Sequence, residues 1–297
     1  MVKVLKRDWP LHVLLLPGVV LTFIFSYLPI YGLVMAFQEF NPGLGFGRSP
    51  WIGLENFRFI FSQPQFMRTL NNTFFISIFK IVFGVLSSVT FALLLNEIRA
   101  TGFKRIFQTI VYIPNFISWV IMAGILHSIL SSEGLVNTVL GVLGIEPVRF
   151  LSNPKVFPWT IIISDVWKTF GFGTVVYLAT ITSIDPGLYE SAVIDGASRW
   201  RQTFSITLPM MGPIIVLMTV LALGTVLNAG FDQIFNLYSP AVYHTGDIID
   251  TYVYRLGLQN GRFAIGTAVG LFKSVVSMVL ISLSLFAAYK VAEYKVF

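Results

Sequence analysis

The sequence predicts an all-α protein: a polytopic membrane helical bundle of about six transmembrane helices with one polar cytoplasmic loop. Hydrophobic residues make up 55% of the 297 and charged residues 11%, against roughly 25% charged in soluble globular domains. Apolar runs of about 20 residues, the length that crosses a hydrocarbon core of ~30 Å, recur along the chain. Lys and Arg fall between these runs and more often on one side, as they do in membrane proteins.

The runs lie near 11–37, 71–95, 106–130, 158–182, 211–236 and 264–289. Lys3, Lys6 and Arg7 precede the first run in the manner of a signal peptide, but the run from Leu11 to Phe37 is too long for a signal's apolar region and reads as a retained helix. An even number of spans puts both termini on one side. Lys3, Lys6, Arg7, Arg99, Lys104, Arg105, Arg199, Arg201, Lys290 and Lys295 share that side; Arg48, Arg58, Arg68, Arg149, Lys155, Arg255 and Arg262 take the other. The first set is larger and sits in shorter loops, which places both termini in the cytoplasm of a multi-pass cell-membrane protein. The expected division is 1–68, an N-terminal transmembrane helix with an extracytoplasmic loop; 69–289, the main transmembrane domain; and 290–297, a short cytoplasmic tail.

The outer loops, Gln38 to Arg68, Ser131 to Phe157 and Asn236 to Phe263, are longer and rich in aromatics, Gly and Pro. Leu54 to Phe61, with Phe57, Ile60 and Phe61 on one face, reads as a short amphipathic helix on the headgroups, a partner-docking element, or a solvated loop with a few anchors. No internal repeat stands out, which argues against folds built from inverted repeats. The chain has no cysteine and a net charge of +6. It therefore offers no disulfide or thiolate site, and its scattered basic residues form no stripe of the kind that binds nucleic acid.

One polar stretch stands apart, Leu188 to Pro209, LYESAVIDGASRWRQTFSITLP. It is too polar to span and too apolar for an idle loop. Asp185-Pro186-Gly187 gives a start signal, and Tyr189 to Ile194 reads as a helix with Glu190 in its first turn. Gly196 breaks it. The chain resumes with Trp200, Phe204 and Ile206 among polar residues and ends at Leu208-Pro209, where Pro209 is expected to start the next span. The product is a bent helical hairpin projecting into the cytoplasm.

This spacing resembles the EAA loop of importer-type permeases of the ATP-binding-cassette transporters. The matching residues are Glu190, Ala192, Asp195, Gly196, Ala197, Ile206, Leu208 and Pro209, with Ser191 where the pattern has a second Ala. Gly53-Leu54-Glu55-Asn56-Phe57, Asn72-Thr73, Tyr112-Ile113-Pro114 through Ser118, and Phe235-Asn236-Leu237 extend the likeness toward the carbohydrate branch, near its oligosaccharide and polysaccharide-fragment subgroup. The resemblance implies a coupling helix that seats in an ATPase subunit and drives alternating access. It also implies a second homologous permease, two ATPase subunits that carry ATP and Mg, an extracytoplasmic solute-binding protein, and a sugar or oligosaccharide cargo. No cofactor is implied for this chain, which is not expected to be an enzyme.

Lys80, Asp165, Lys168, Asp232 and Lys273 fall within or beside apolar runs, where an ionisable group needs a partner or a cavity. Asp165 and Lys168, three apart on one helical face, are expected to pair with each other. With Trp167, and with Asn228, Asp232, Gln233 and Asn236 on the fifth run, they form candidates for a substrate path. Aromatic faces and amide or carboxylate groups suit a sugar's ring and hydroxyls. Helix packing by the same polar groups is the competing reading.

Gly270-Leu271-Phe272-Lys273-Ser274 lacks the glycine before lysine that a phosphate-binding loop requires. His12, His127 and His244 have no metal-ligand spacing. Asn71-Asn72-Thr73 matches a glycosylation pattern at the start of a span and carries no argument. Two other function classes stay open. An ion-coupled secondary transporter would use the intramembrane charges as a relay; an intramembrane enzyme would need a polar catalytic cluster, which the sequence does not display.

Overall fold

The computed structural model describes residues 9–292, so Lys3, Lys6, Arg7, Lys295 and most of the 290–297 tail lie outside the described residues. Among those described the fold is nearly all helical, with extended pairing limited to one isolated bridge between Gln38 and Trp51. Among the described residues five helices are long and apolar enough to cross a membrane, and six spans result if one bent pair is counted as a single broken span.

Helix α1, Trp9–Thr22, runs on through a widened turn at Phe23–Tyr27 and a tight stretch, Leu28–Phe37. The widened turn has a local cause. Pro29 lacks an N–H and its ring crowds the carbonyl four residues back, at Phe25 in the middle of that turn. Helix α2, Glu55–Ser62, follows. Its Ile60 is buried, while Phe61 is exposed and Phe57 half-buried. Asn56 is buried and donates 3.0 Å hydrogen bonds to the carbonyls of Ala36 and Gln38, tying α2 to the end of the first span.

Helix α3, Pro64–Glu97, has 34 residues, about 50 Å at 1.5 Å per residue, longer than the hydrocarbon core it crosses. Helices α4, Thr101–Phe116, and α5, Trp119–Ile129, bend by 106° at Ile117-Ser118, where a single continuous span had been expected over 106–130. α4 carries Pro114 in its last turn and ends two residues later, Ile117 and Ser118 are extended, and the Ser118 side chain caps α5 by accepting from the Ile121 N–H. Helix α6, Leu135–Val142, lies in the loop expected from the sequence over 131–157, and α7, Phe157–Thr182, is long and apolar enough to cross.

The residues fall into two compact units, one of 9–63 with 253–272, the other of 64–252 with 273–292. In the larger unit α3 and α7 are the central pair. Apolar residues gain nothing by leaving lipid, so close approach and hydrogen bonds hold such helices together. Ser88 Oγ donates to the Phe170 carbonyl at 3.0 Å, and Thr174 Oγ1 reaches the Ser88 carbonyl at 3.3 Å. A Cβ at Gly171 would stand 2.2 Å from the Val111 carbonyl oxygen, so α4 and α7 meet only because that residue is glycine. One buried cluster joins Ile76, Met122, Phe157, Ile161, Ile234 and Leu237; another joins Val89, Tyr177, Ile181 and Met211.

Candidate functional site

Helix α8, Pro186–Ile194, begins where the sequence signals it: Asp185 accepts from the Gly187 N–H at 2.9 Å and Pro186 takes the first helical position. Glu190 therefore sits in the second turn, one turn later than expected, because the proline and Gly187-Leu188 are helical too. The end of α8 is a Schellman turn. Gly196 adopts φ +74°, its N–H donates to the Val193 carbonyl, and the Ala197 N–H reaches back to the Ala192 carbonyl at 2.8 Å. Ser198 then caps the next helix by accepting from the Arg201 N–H.

That helix, α9, is continuous over Arg199–Gly224. Pro209 does not start the span, contrary to the sequence expectation. A widened turn at Thr203–Thr207 places Ser205, four residues before the proline, where its carbonyl escapes the ring. The hairpin is braced by Tyr189 Oη and Thr207 Oγ1 at 2.9 Å, by Gln202 Nε2 donating to the Ala197 carbonyl, and by Arg199 bonded to Glu97 of α3 at 3.0 Å.

Glu190, Ser191, Asp195, Gly196 and Pro209 are exposed; Ala192, Ala197, Ile206 and Leu208 are half-buried. The tip is apolar and uncovered, with Val193 63%, Ile194 86%, Trp200 72% and Phe204 59% exposed. Apolar side chains held out on a capped, polar-flanked hairpin form an exposed patch of the kind that marks an interaction site. Beneath it a cavity of about 620 Å³ is lined by Glu97, Tyr189, Glu190, Arg199 and Gln202.

The second group of candidates lies deeper. α9 stops at Gly224, the chain breaks over Thr225 to Gly230, and α10, Phe231–Leu237, follows. Asp232, Gln233 and Asn236 are thus on a separate short helix and not on a span running to 236. Gly230, at φ +96°, makes the break possible. Asp165 pairs with Lys80 of α3 at 3.2 Å and not with Lys168. Lys168 turns instead to the bend of the third span, donating to the Asn115 carbonyl at 2.9 Å, with its ammonium 5.4 Å from the Trp119 ring centre.

A polar cavity of about 210 Å³ is lined by Ser77, Lys80, Asp165, Thr225, Asn228 and Gly230. Of the sequence candidates, Asp165 and Asn228 face it, and Gln233, fully buried, stands behind it. Trp167 lines a different, apolar groove of about 510 Å³ with Phe83, Trp159 and Phe170. Asp232 is exposed, and its carbonyl accepts from Asn236 at 2.7 Å.

Sequence reasoning took Asn72 and Thr73, at the start of the second span, only as part of the family likeness and gave them no structural role. Asn72 Nδ2 donates to the carbonyls of His244 and Asp247, and Thr73 Oγ1 accepts from the Ile249 N–H, pinning the segment 244–249 to α3. Lys273 pairs with Asp250 at 2.5 Å. Both lysines had been noted as charges in apolar runs; partners 85 and 23 residues away carry no local signal.

Residues 80–296 match the family described as the binding-protein-dependent transport system inner membrane component. The chain belongs to that family. Proteins similar to it include Protein LplB of Bacillus subtilis, 39% identical over 93% of this chain and 87% of LplB. Another, the polygalacturonan/rhamnogalacturonan transport system permease protein YteP of Bacillus subtilis, is 38% identical over 99% of this chain and 91% of its own length. Among solved structures, a chain of a bacterial ABC transporter involved in the import of the acidic polysaccharide alginate superposes with a TM-score of 0.88 at 42% identity, covering 97% of this chain and 98% of that one. A chain of the alginate transporter in complex with an alginate pentasaccharide-bound periplasmic protein gives 0.88 at 41%. The protein is therefore a multi-pass, membrane-spanning permease subunit, and its described helices are those of an ABC importer permease.

Proposed function

We propose that this permease imports oligosaccharides, acidic ones foremost, by alternating access driven by two separate ATPase subunits that hold ATP and Mg. It works beside a second, homologous permease and receives its cargo from an extracytoplasmic binding protein, with both termini in the cytoplasm. The observation that carries this reading is the hairpin of α8 and α9. A Schellman turn at Gly196 presents Val193, Ile194, Trp200 and Phe204 where an ATPase subunit would grip them, and the Tyr189–Thr207 brace to α9 would pass movement into the spans. The acidic cargo rests on the relatives alone, one named for polygalacturonan and rhamnogalacturonan, another solved as an alginate importer.

The ion-coupled alternative draws no support from the buried charges, since Lys80, Lys168 and Lys273 all bond to groups within the chain. Uptake of labelled oligogalacturonides and oligoalginates into vesicles holding the full complex, with the loaded binding protein outside and ATP inside, tests the reading. Accumulation is expected to need internal ATP and to survive an ionophore. Accumulation that persists without ATP and collapses with the ion gradient would reverse the assignment.

A further inference from the structure

Lys80 is one of the few charges inside a long span, and its side chain is 9% exposed. An ammonium has three protons to place, and here each has a taker. Nζ donates to Asp165 Oδ1 on α7 at 3.2 Å, to the Ala229 carbonyl in the break after α9 at 2.7 Å, and to Gln233 Oε1 on α10. Gln233 then spends its own amide hydrogens on the Ile161 carbonyl at 2.7 Å and Ser164 Oγ at 2.9 Å, both on α7. One cation from α3 thus ties the break and α10 to α7, and the carboxylate of Asp165 balances its charge.

The break needs such a tie. Residues 225–230 leave the α9 ladder against Lys80, midway along the long span α3, and irregular backbone within a membrane is stable only where its polar groups are taken up or it lines a cavity. It lines the cavity with Asn228, Thr225 and Gly230, together with Ser77, whose buried hydroxyl has no partner among the described residues. Gly230 also shows how close the fit is: a Cβ there would sit 3.1 Å from Lys80 Nζ at a φ of +96°.

We propose that Lys80 is a positioning residue for translocation: by holding the Ala229 carbonyl and Gln233 it fixes where Asn228 and Thr225 face along the path, without itself contacting the cargo. The proposal takes the chain to be an importer permease but is independent of which oligosaccharide passes. A cargo carboxylate would find no proton on Nζ uncommitted, which separates this role from that of a charge-binding subsite.

The chain has no cysteine, so Asn228→Cys gives this subunit a single reporter. In the full complex its modification by a membrane-impermeant maleimide, read on this chain, is expected to differ between the nucleotide-free state and ATP with vanadate. Lys80→Met is expected to change the nucleotide-free rate at least tenfold and to abolish the difference between states. Gly230→Ala, which keeps both Lys80 and Asp165 but sets a Cβ against Nζ in a backbone at φ +96°, is expected to do the same. ATPase activity stimulated by the loaded binding protein should persist within a fewfold in both. Labelling within twofold of the parent in either assembled variant overturns the proposal, and so does failure of both to assemble, which would make Lys80 a folding residue only. If the parent's labelling does not respond to nucleotide, the importer reading fails rather than this one, and the positioning role is then judged on the nucleotide-free rates.

Discussion

Replacing Gly196 separates two reasons for a glycine at the tip of the hairpin. Its φ of +74° costs an ordinary L-residue roughly 1–2 kcal/mol, and a Cβ there would meet nothing within 4 Å inside the chain. The internal penalty is therefore conformational and not steric. An exposed turn has little local stability to spare, so roughly 1–2 kcal/mol means about 5- to 30-fold less of the bent hairpin. The apparent affinity for an ATPase subunit falls by the same fraction. Asn tolerates the left-handed region, Ala less so, and a β-branched Val least. In purified complexes, retained ATPase and ATP-driven uptake are expected to fall in the order Gly, Asn, Ala, Val. Uptake by Gly196→Val at the parent rate would refute the reasoning. An Asn variant as defective as Val would refute its conformational part and assign the glycine to room for the partner.

Removing the Tyr189 hydroxyl with Tyr189→Phe deletes a bond to Thr207 worth about 1 kcal/mol; uptake per ATP hydrolysed is expected to fall severalfold while the ATPase still co-purifies. Arg199→Ala breaks a well-exposed pair with Glu97 worth about 0–1 kcal/mol, and uptake should stay within twofold; a tenfold loss would show that Arg199 touches a partner. Lys273→Met strips Asp250 of its ammonium partner in a partly buried setting and should lower stability by about 1–3 kcal/mol. The thermal midpoint of the purified complex checks it, and Asp250→Asn in the same chain should recover part of the loss.

Composition and run length made the helical bundle legible, because lipid demands apolar stretches of a set length and leaves the backbone little choice. The hairpin was legible for a different reason: capping and turn chemistry are local, so Asp185, Gly196 and Ser198 announce it within a few residues. The two breaks were not, since hydropathy continues across Ile117-Ser118 and across Thr225 to Gly230 while the backbone does not. Proline position also misled. Pro209 reads as a start, yet a widened turn absorbs it inside α9, as another does before Pro29 in the first span. The buried charges were visible as costs, but pairing followed three-dimensional proximity, so Asp165 found Lys80 on α3 while Lys168, three residues along its own helix, went to the Asn115 carbonyl.

The central claim is that the Gly196 hairpin couples this permease to a separate ATPase, and co-purification tests it most directly. A tagged chain extracted in mild detergent from cells expressing its native operon is compared with the Gly196→Val variant, and the recovered proteins are identified by mass spectrometry. The account predicts an ATPase and a second permease with the parent chain, and loss of the ATPase alone with the variant. A homo-oligomer without any ATPase would contradict it.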